Sequence, residues 1–193
     1  MQSKRQLQKE NTRKKLIKTA LSVYAKQGFS VSTAAIAKEA GVSHGTIFVH
    51  FPTVEDLLCA VIEDFGDRLG LELHVLAEKS RSLREFLQTQ LSLLAKHEDF
   101  YLRLVTENNL LPEQAKVSFA KLQAITAYHF SEIIEQEPEN QTIKEIPVHL
   151  LFNTWIGLVH YYLQNKELFS PDAPLLDRYS TELTETFLKL ITK

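Results

Sequence analysis

Residues 43–50, with the sequence Ser-His-Gly-Thr-Ile-Phe-Val-His, combine side chains of the kind that read the edges of DNA base pairs. Hydroxyl and imidazole groups form hydrogen bonds with bases or phosphates, and an apolar side chain such as Val contacts the methyl group of thymine. A short exposed helix of small and polar residues fits the major groove of DNA. This segment therefore predicts a DNA-binding surface.

The residues around this segment predict two short helices joined by a tight turn. Ser32 is a favourable N-cap for a first helix over residues 33–40. The apolar face of that helix is formed by Ile36, Ala37 and Ala40. Gly41 follows at the position where a residue with positive φ commonly ends a helix, and Val42 supplies an apolar side chain for the turn.

The second helix is expected to begin at His44, with Ser43 in the N-cap position. Ile47 and Phe51 are four residues apart and therefore face the interior. The outer face is then formed by Ser43, His44, Gly45, Thr46, Val49 and His50. This layout is a helix-turn-helix whose second helix is free to enter the major groove.

One helix before this pair and one after it complete the arrangement. The preceding helix and the turn after it carry an apolar stripe that can cover the pair, formed by Leu16, Ala20, Val23, Tyr24 and Phe29. Thr53 and Asp56 have the spacing of a capping box, so a fourth helix is expected from about Val54. Residues 1–8 lack an apolar anchor and are expected to form a mobile basic arm.

The whole run resembles the TetR family of bacterial transcription regulators. The shared pattern is Ala20-Leu21, Tyr24-Ala25, Gly28-Phe29, Ile36-Ala37, Ala40-Gly41-Val42-Ser43, Gly45-Thr46-Ile47-Phe48, His50-Phe51 and Leu57. It covers roughly the first third of the chain. The resemblance implies an all-helical homodimer, with an N-terminal DNA reader and a larger C-terminal part that dimerises and holds a small effector.

The same resemblance assigns roles along the second helix. The residues that match phosphate-contacting positions are Ser43, Thr46 and His50. The residues that match base-reading positions are His44, Gly45 and Val49, and Val49 suits a thymine methyl group. The predicted DNA-contacting set is completed by Ser32, Thr33 and Phe48.

Two positions depart from the family pattern. Phe48 stands where the family usually has Tyr, so the ring packing is kept but the hydroxyl donor to a phosphate is absent. Val54 stands where the family often has Lys. We therefore expect two phosphate contacts of the family to be missing from this chain.

The charge distribution supports DNA binding independently of the family. Residues 1–50 contain nine Lys and Arg against two Glu, whereas residues 51–193 contain 13 basic and 22 acidic residues. The formal net charge of −2 thus hides a basic first part, at +7, and an acidic remainder, at −9. Such a basic end is typical of nucleic-acid binding.

Beyond residue 53 the chain is expected to be entirely helical. The predicted helices cover about 54–78, 83–97, 99–110, 113–136, 147–167 and 174–192, which makes about nine in all. We expect two domains, a helix-turn-helix DNA-binding domain over 1–52 and a helical effector-binding and dimerisation domain over 53–193. The last two helices resemble the pair that forms the family's dimer seam, and the fourth helix could transmit effector binding to the DNA side.

The sequence contains one candidate effector site. His149, Asn153, Ile156 and His160 form a largely polar stripe on an otherwise apolar helix. The residues expected to contribute to a pocket there are Phe100, Arg103, Phe119, Gln123, Asn153 and His160. Two alternatives stay open: the stripe could lie in the dimer seam, or backbone and water could satisfy its polar groups.

Other functional classes find little support. The sequence has no Gly-rich phosphate loop, nucleophile elbow or helical His pair at zinc-site spacing, so no enzyme activity, catalytic residue or cofactor is expected. His97-Glu98-Asp99 is the densest ligand-like cluster, but it lies at a predicted helix junction and no metal is expected there. The apolar run over 146–163 is interrupted by Pro, His, Asn and Thr, which favours a buried helix over a membrane span.

A cytoplasmic protein is expected, because the N-terminus is polar and the single Cys59 has no disulfide partner. The expected function is a repressor that binds a near-palindromic operator as a homodimer and is released by a small, largely apolar effector. The alternative is a DNA-bound scaffold that recruits another protein and holds no effector. A cavity in the C-terminal part would favour the first function.

Overall fold

The chain is an assembly of helices. The computed structural model describes residues 3–136 and 143–193, and these contain ten α-helices and one 3-10 helix, Asn108–Leu110. The α-helices are α1 Lys4–Gln27, α2 Thr33–Ala40, α3 His44–His50, α4 Val54–Lys79, α5 Leu83–Ala95, α6 Glu98–Thr106, α7 Glu113–Gln136, α8 Val148–Gln164, α9 Lys166–Phe169 and α10 Leu175–Ile191. The predicted all-α class is confirmed.

Residues 4–8 are helical, so the expectation of a mobile arm is wrong for them, and residues 1–2 of that arm lie outside the residues that the structure describes. The Ser3 hydroxyl accepts a hydrogen bond from the Gln6 backbone N–H at 3.3 Å, and Gln6 Oε1 accepts one from the Ser3 N–H at 3.1 Å. This capping box satisfies backbone N–H groups that a helix end would otherwise leave unpaired. The first turns of α1 are therefore ordered as helix although their side chains are exposed, and the buried part of α1 follows from Leu16.

Two of the predicted helices are each divided in the structure. The helix expected over 99–110 ends at Thr106 and continues as the 3-10 helix, and the one expected over 147–167 is split into α8 and α9. Glu107 and Asn165 stand at these breaks, both with φ of −109°. The Asn165 side chain donates to the Tyr161 carbonyl at 2.8 Å, satisfying a group at the end of α8.

Helices α1, α2 and α3 form an N-terminal unit around a shared core. Residues fully shielded from solvent in this core are Leu16, Ala20, Tyr24, Ile36 and Ile47. Gly41 has φ of +64° and ends α2, and the Val42 N–H reaches back to the Ala37 carbonyl at 3.0 Å. This tight turn sets the angle between α2 and α3, as the sequence predicts.

Helix α4 connects this unit to the rest of the chain. Thr53 and Asp56 form the predicted capping box at its start. Its 26 residues make it about 39 Å long. Every fourth residue on its inner face is buried, namely Leu57, Val61, Phe65, Leu69 and Leu73. Cys59 is also buried, as expected.

Helices α5 to α10 form the body of the molecule, with α10 packed on α5 and α8 packed on α7 and α10. At its centre, the buried Trp155 indole donates from Nε1 to Gln90 Oε1 at 2.8 Å. Phe187 packs against Trp155 with ring centroids 5.3 Å apart. Within the residues described, no single helix is long and apolar enough to cross a membrane.

The buried Glu98 carboxylate stabilises the start of α10. Its two oxygens accept the backbone N–H groups of Leu175, at 2.9 Å, and Leu176, at 2.7 Å. Lys166 Nζ lies 2.8 Å from the same carboxylate. Burial lowers the pKa of Lys166, but the hydrogen bonds and charges of Glu98 and Asp99 together outweigh that effect and raise it. Glu98 is therefore a structural cap on a helix N-terminus.

Replacing Glu98 by Ala should lower the free energy of unfolding by about 3–5 kcal/mol, because it leaves two buried N–H groups without an acceptor and removes the nearer of the two carboxylates from the partly buried Lys166 ammonium. Urea unfolding followed by circular dichroism measures this change. Asp99→Ala is the matched control, since the exposed Asp99 carboxylate also contacts Lys166, at 3.4 Å, but caps no helix. Equal stability of the two variants would contradict this role for Glu98.

Candidate nucleic-acid interface and effector groove

Helix α3 presents its outer face to solvent. The exposed residues of the predicted DNA-contacting set are Ser32, Ser43, His44, Gly45, Phe48 and Val49. Val49 is the most open of the large apolar side chains on this face, at 68% exposure. Thr46 and His50 are half-buried, and Ile47 and Phe51 face the core. An apolar side chain left this open is available for a partner such as a thymine methyl group.

The orientation of His44 is set by two neighbours. Thr33 Oγ1 lies 2.8 Å from His44 Nε2, and the Phe48 ring stands edge-on to the imidazole with centroids 5.2 Å apart. Thr33 itself is buried, unlike the rest of the predicted set in α2 and α3. Its hydroxyl therefore positions His44 and joins the two helices of the motif.

Ser43 and Thr46 form a pair of hydroxyls at the start of α3. Ser43 occupies the N-cap position, but its side chain accepts no backbone N–H, so the expected side-chain cap is wrong. Its Oγ lies 2.8 Å from Thr46 Oγ1 instead. Two adjacent hydroxyls at the exposed end of a helix are suited to a phosphate oxygen.

His50 lies where α3 meets the basic side of α1. Burial, followed by the charges of Lys9 and Arg13, lowers the pKa of His50. In the part of the chain that the structure describes, His50 Nδ1 is shielded from solvent and has no hydrogen-bond partner. The Arg13 guanidinium lies over the Phe51 ring, 4.8 Å from its centroid. The cations of α1 thus flank the end of α3.

Glu107 joins the body to the N-terminal unit. Its Oε2 accepts the backbone N–H of Phe29 at 2.7 Å, in the turn between α1 and α2. Gly28, the residue before Phe29, has a φ of +81°. A Cβ atom at Gly28 would lie 2.6 Å from Glu107 Oε1. Gly28 is therefore needed both for its backbone conformation and for the close approach of the carboxylate.

Arg103 completes the same connection, which we call the Glu107 latch. Arg103 Nη1 lies 2.9 Å from Glu107 Oε1. Its Nε and Nη2 donate to the carbonyls of Ala25 and Lys26, both at 3.4 Å, at the end of α1. Sequence reasoning missed this latch, because its partners are 77 and 78 residues apart.

A groove lies between α6, α7 and α8. It has a volume of about 340 Å³ and is open to solvent. Among its lining residues are the apolar Leu104, Val105, Phe119 and Ala120 and the polar Gln123 and His160. Three of the residues predicted for an effector site, Phe119, Gln123 and His160, therefore share one groove.

His160 is a neutral side chain at the wall of this groove. The Tyr101 hydroxyl lies 3.0 Å from His160 Nε2. Burial lowers the pKa of His160 to about 4 and raises the pKa of Tyr101. Both groups are therefore neutral at pH 7, so the hydrogen bond between them links α6 to α8 without a net charge.

The other predicted effector residues lie elsewhere. Asn153 is exposed and lines a second groove of about 390 Å³, together with His149 and Gln123. Phe100 is buried against Phe65, with centroids 4.9 Å apart. Phe100 and the latch residue Arg103 do not line the first groove, because α6 turns their side chains toward α1 and α4.

The N-terminal unit and the start of α4 match a known protein family. Residues 16–61 match the model for bacterial regulatory proteins of the tetR family. The HTH-type transcriptional regulator YerO of Bacillus subtilis is 30% identical over 115 residues, which are 54% of this chain and 38% of YerO. The chain thus matches less than two fifths of the length of that relative.

Solved structures match almost the whole chain. A transcriptional regulator from Saccharomonospora viridis in complex with choline superimposes with a TM-score of 0.79, at 17% identity, over 95% of this chain and 99% of that one. FadR from Bacillus subtilis in complex with stearoyl-CoA gives a TM-score of 0.72, at 19% identity, over 92% and 98% of the chains. These similarities establish a shared fold.

The low pKa of His160 predicts a pH-dependent stability. Between pH 6.5 and about 4 the unfolded chain takes up a proton at His160 that the folded chain does not. The free energy of unfolding therefore falls as the pH falls through this window, by up to about 3 kcal/mol. His160→Gln keeps an acceptor for Tyr101 but does not titrate, so it should lose less stability between pH 7 and about pH 5 in urea unfolding. Parallel pH profiles for the variant and the parent chain would contradict this.

Proposed function

Because the chain belongs to the TetR family of bacterial regulatory proteins, we propose that it is a repressor that binds a near-palindromic operator as a homodimer. A small, largely apolar effector releases it. The observation that carries the DNA-binding part is the exposed face of α3, on which His44 is held by Thr33 and Phe48 beside the open Val49. This face lies within the segment that matches the family model.

In this proposal α3 enters the major groove. His44, Gly45 and Val49 read bases, whereas Ser43, Thr46 and His50 contact phosphates. A phosphate beside His50 would offset the charges of Lys9 and Arg13 that lower its pKa. Ser32, which caps α2, and the exposed Phe48 lie at the edge of the same surface.

We assign the dimer seam to α8 and α10. The outer face of α8 carries Leu150, Thr154, Gly157 and Tyr161, spaced four, three and four residues apart. All four are exposed, and a Cβ at Gly157 would meet nothing within 4 Å. An uncovered stripe with apolar ends and a glycine at its centre supports close packing against a second helix. The assigned domains are 1–52 for DNA binding and 53–193 for dimerisation and the effector.

The effector site in this proposal is the groove between α6, α7 and α8. Its volume of about 340 Å³ suits a compact ligand, and its lining combines apolar side chains with polar ones that include the cation Lys116. The small molecules held by the two similar structures, choline and stearoyl-CoA, support the presence of an effector site in this fold. Phe119, Gln123 and His160 are the residues we assign to it, with Asn153 in the adjoining groove.

Helix α6 connects the groove with the DNA side. One face bears Tyr101, which bonds His160 across the groove wall, and the helix end leads to the Glu107 latch on the turn before α2. A ligand that displaced α6 would therefore also change how the body holds the N-terminal unit. Helix α4, continuous from that unit into the body, provides a second route.

Binding to DNA should depend strongly on salt, because the basic first 50 residues displace counterions. We expect affinity for an operator selected from random DNA to fall about tenfold or more between roughly 50 and 200 mM salt.

Val49→Ala should relax preference at one base pair, whereas Thr46→Ala should weaken binding to all sequences alike. Binding to a library of operator variants distinguishes the two effects. Leu110→Ala, an exposed change on the body, is the control. Flat salt dependence, or identical profiles for all variants, would contradict the assigned register.

The latch yields a separate prediction. Glu107→Ala should free the turn between α1 and α2, so that the Phe29 amide exchanges with solvent at least about tenfold faster and operator affinity falls. Hydrogen exchange over residues 24–32 and operator binding measure the two effects. Glu113→Ala, which removes an exposed carboxylate paired with Lys116, is the control. Unchanged exchange at Phe29 would rule out the latch.

A further inference from the structure

Two histidines from different helices lie side by side. His74 lies on α4 and His129 on α7, 55 residues apart in sequence. His74 Nδ1 and His129 Nε2 are 3.4 Å apart, and the ring centroids are 5.2 Å apart. The two rings therefore present one nitrogen each to the same small space.

This nitrogen spacing is that of two ligands on one tetrahedral metal ion. Zinc binds imidazole nitrogens at about 2.0–2.1 Å, which places two nitrogens of a tetrahedral site about 3.4 Å apart. Imidazole is a favoured ligand of zinc, copper and nickel, whereas magnesium and calcium prefer oxygen ligands. The geometry thus selects a transition metal of the zinc type.

The outward nitrogen of each ring faces a carboxylate. His74 Nε2 lies 3.4 Å from Glu78 Oε1, and His129 Nδ1 lies 3.4 Å from Glu132 Oε2. The other oxygen of Glu132 accepts the Tyr128 hydroxyl at 2.7 Å, which holds that carboxylate in place. Carboxylates behind metal-binding histidines fix the tautomer that leaves the inner nitrogen free, and they raise its basicity.

We propose that His74 and His129 bind one divalent transition metal ion of the zinc type. The His129 side chain is 6% exposed and that of His74 is 55% exposed, so the ion would enter from the His74 side and complete its coordination with water. No group of three or more potential ligand side chains is found in residues 3–136 and 143–193. The protein therefore supplies two imidazole ligands to the ion. The ion ties the distal part of α4 to α7.

The test is isothermal titration calorimetry, in which zinc chloride is titrated into the chelator-treated chain. We expect one zinc ion per chain, and a higher midpoint of thermal unfolding in the presence of zinc. His74→Gln and His129→Gln should each weaken zinc binding more than about 100-fold, because each removes half of the protein ligands. His149→Gln, an exposed histidine on α8, should bind zinc like the parent chain.

Glu132→Gln provides a variant that keeps both imidazoles. It should weaken zinc binding about tenfold, because His129 loses the negative charge behind its outer nitrogen. Non-specific binding at surface histidines would not respond to this change. The proposal is overturned if the parent chain binds no zinc at about 100 µM, or if His74→Gln and His129→Gln, shown to be folded by circular dichroism, bind as it does. The pair would then be an ordinary hydrogen bond between two neutral rings.

Discussion

Burial of the inner face of α4 is the constraint on which both halves of the molecule depend. The residues buried along it extend from Leu57 to Leu73, so the same helix completes the core of the N-terminal unit and that of the body. A helix held along its length resists bending, because each of its turns is packed against a neighbour. In the proposed function, movement of the body would therefore reach α3 mainly as a rotation or shift of the whole of α4. The distal part of α4, where His74 meets His129, is mechanically part of the same element.

Two carboxylates, the buried Glu98 and the half-buried Glu107, hold α10 and α1 in position. Glu98 and Glu107 each lie at an end of α6, and each accepts backbone N–H groups from a distant segment. In both cases a cation, Lys166 or Arg103, lies on the same carboxylate. Such sites are costly to desolvate but have strict geometry. They therefore specify where α1 and α10 must sit, a role that interchangeable apolar contacts perform less well.

The parts of the fold that follow local rules could be predicted from the sequence, and the long-range contacts could not. The starts of α2 and α4 follow from Ser32 and the Thr53 capping box, because a cap depends on residues within one turn, whereas α3 begins after Ser43 without a side-chain cap. Arg103 was expected to line the effector pocket as a residue of a neighbouring helix, but its direction is set by carbonyls of α1. The His74 and His129 pair also lies outside any local pattern, since the two residues come from separate helices. Phe119, Gln123 and His160 lie in one groove, and their role in binding an effector stays a prediction.

The capped start of α1 also bears on conformational entropy. An extended arm that contacts DNA must give up backbone freedom when it binds, at about 1–2 kcal/mol for each residue ordered. Residues 4–15 already lose that freedom on folding, because the Ser3 capping box and the helix order them. Their cations therefore lose only side-chain freedom when they meet phosphates. A rigid helix also holds those charges at a fixed rise of about 1.5 Å for each residue, so it favours a backbone path that matches this spacing.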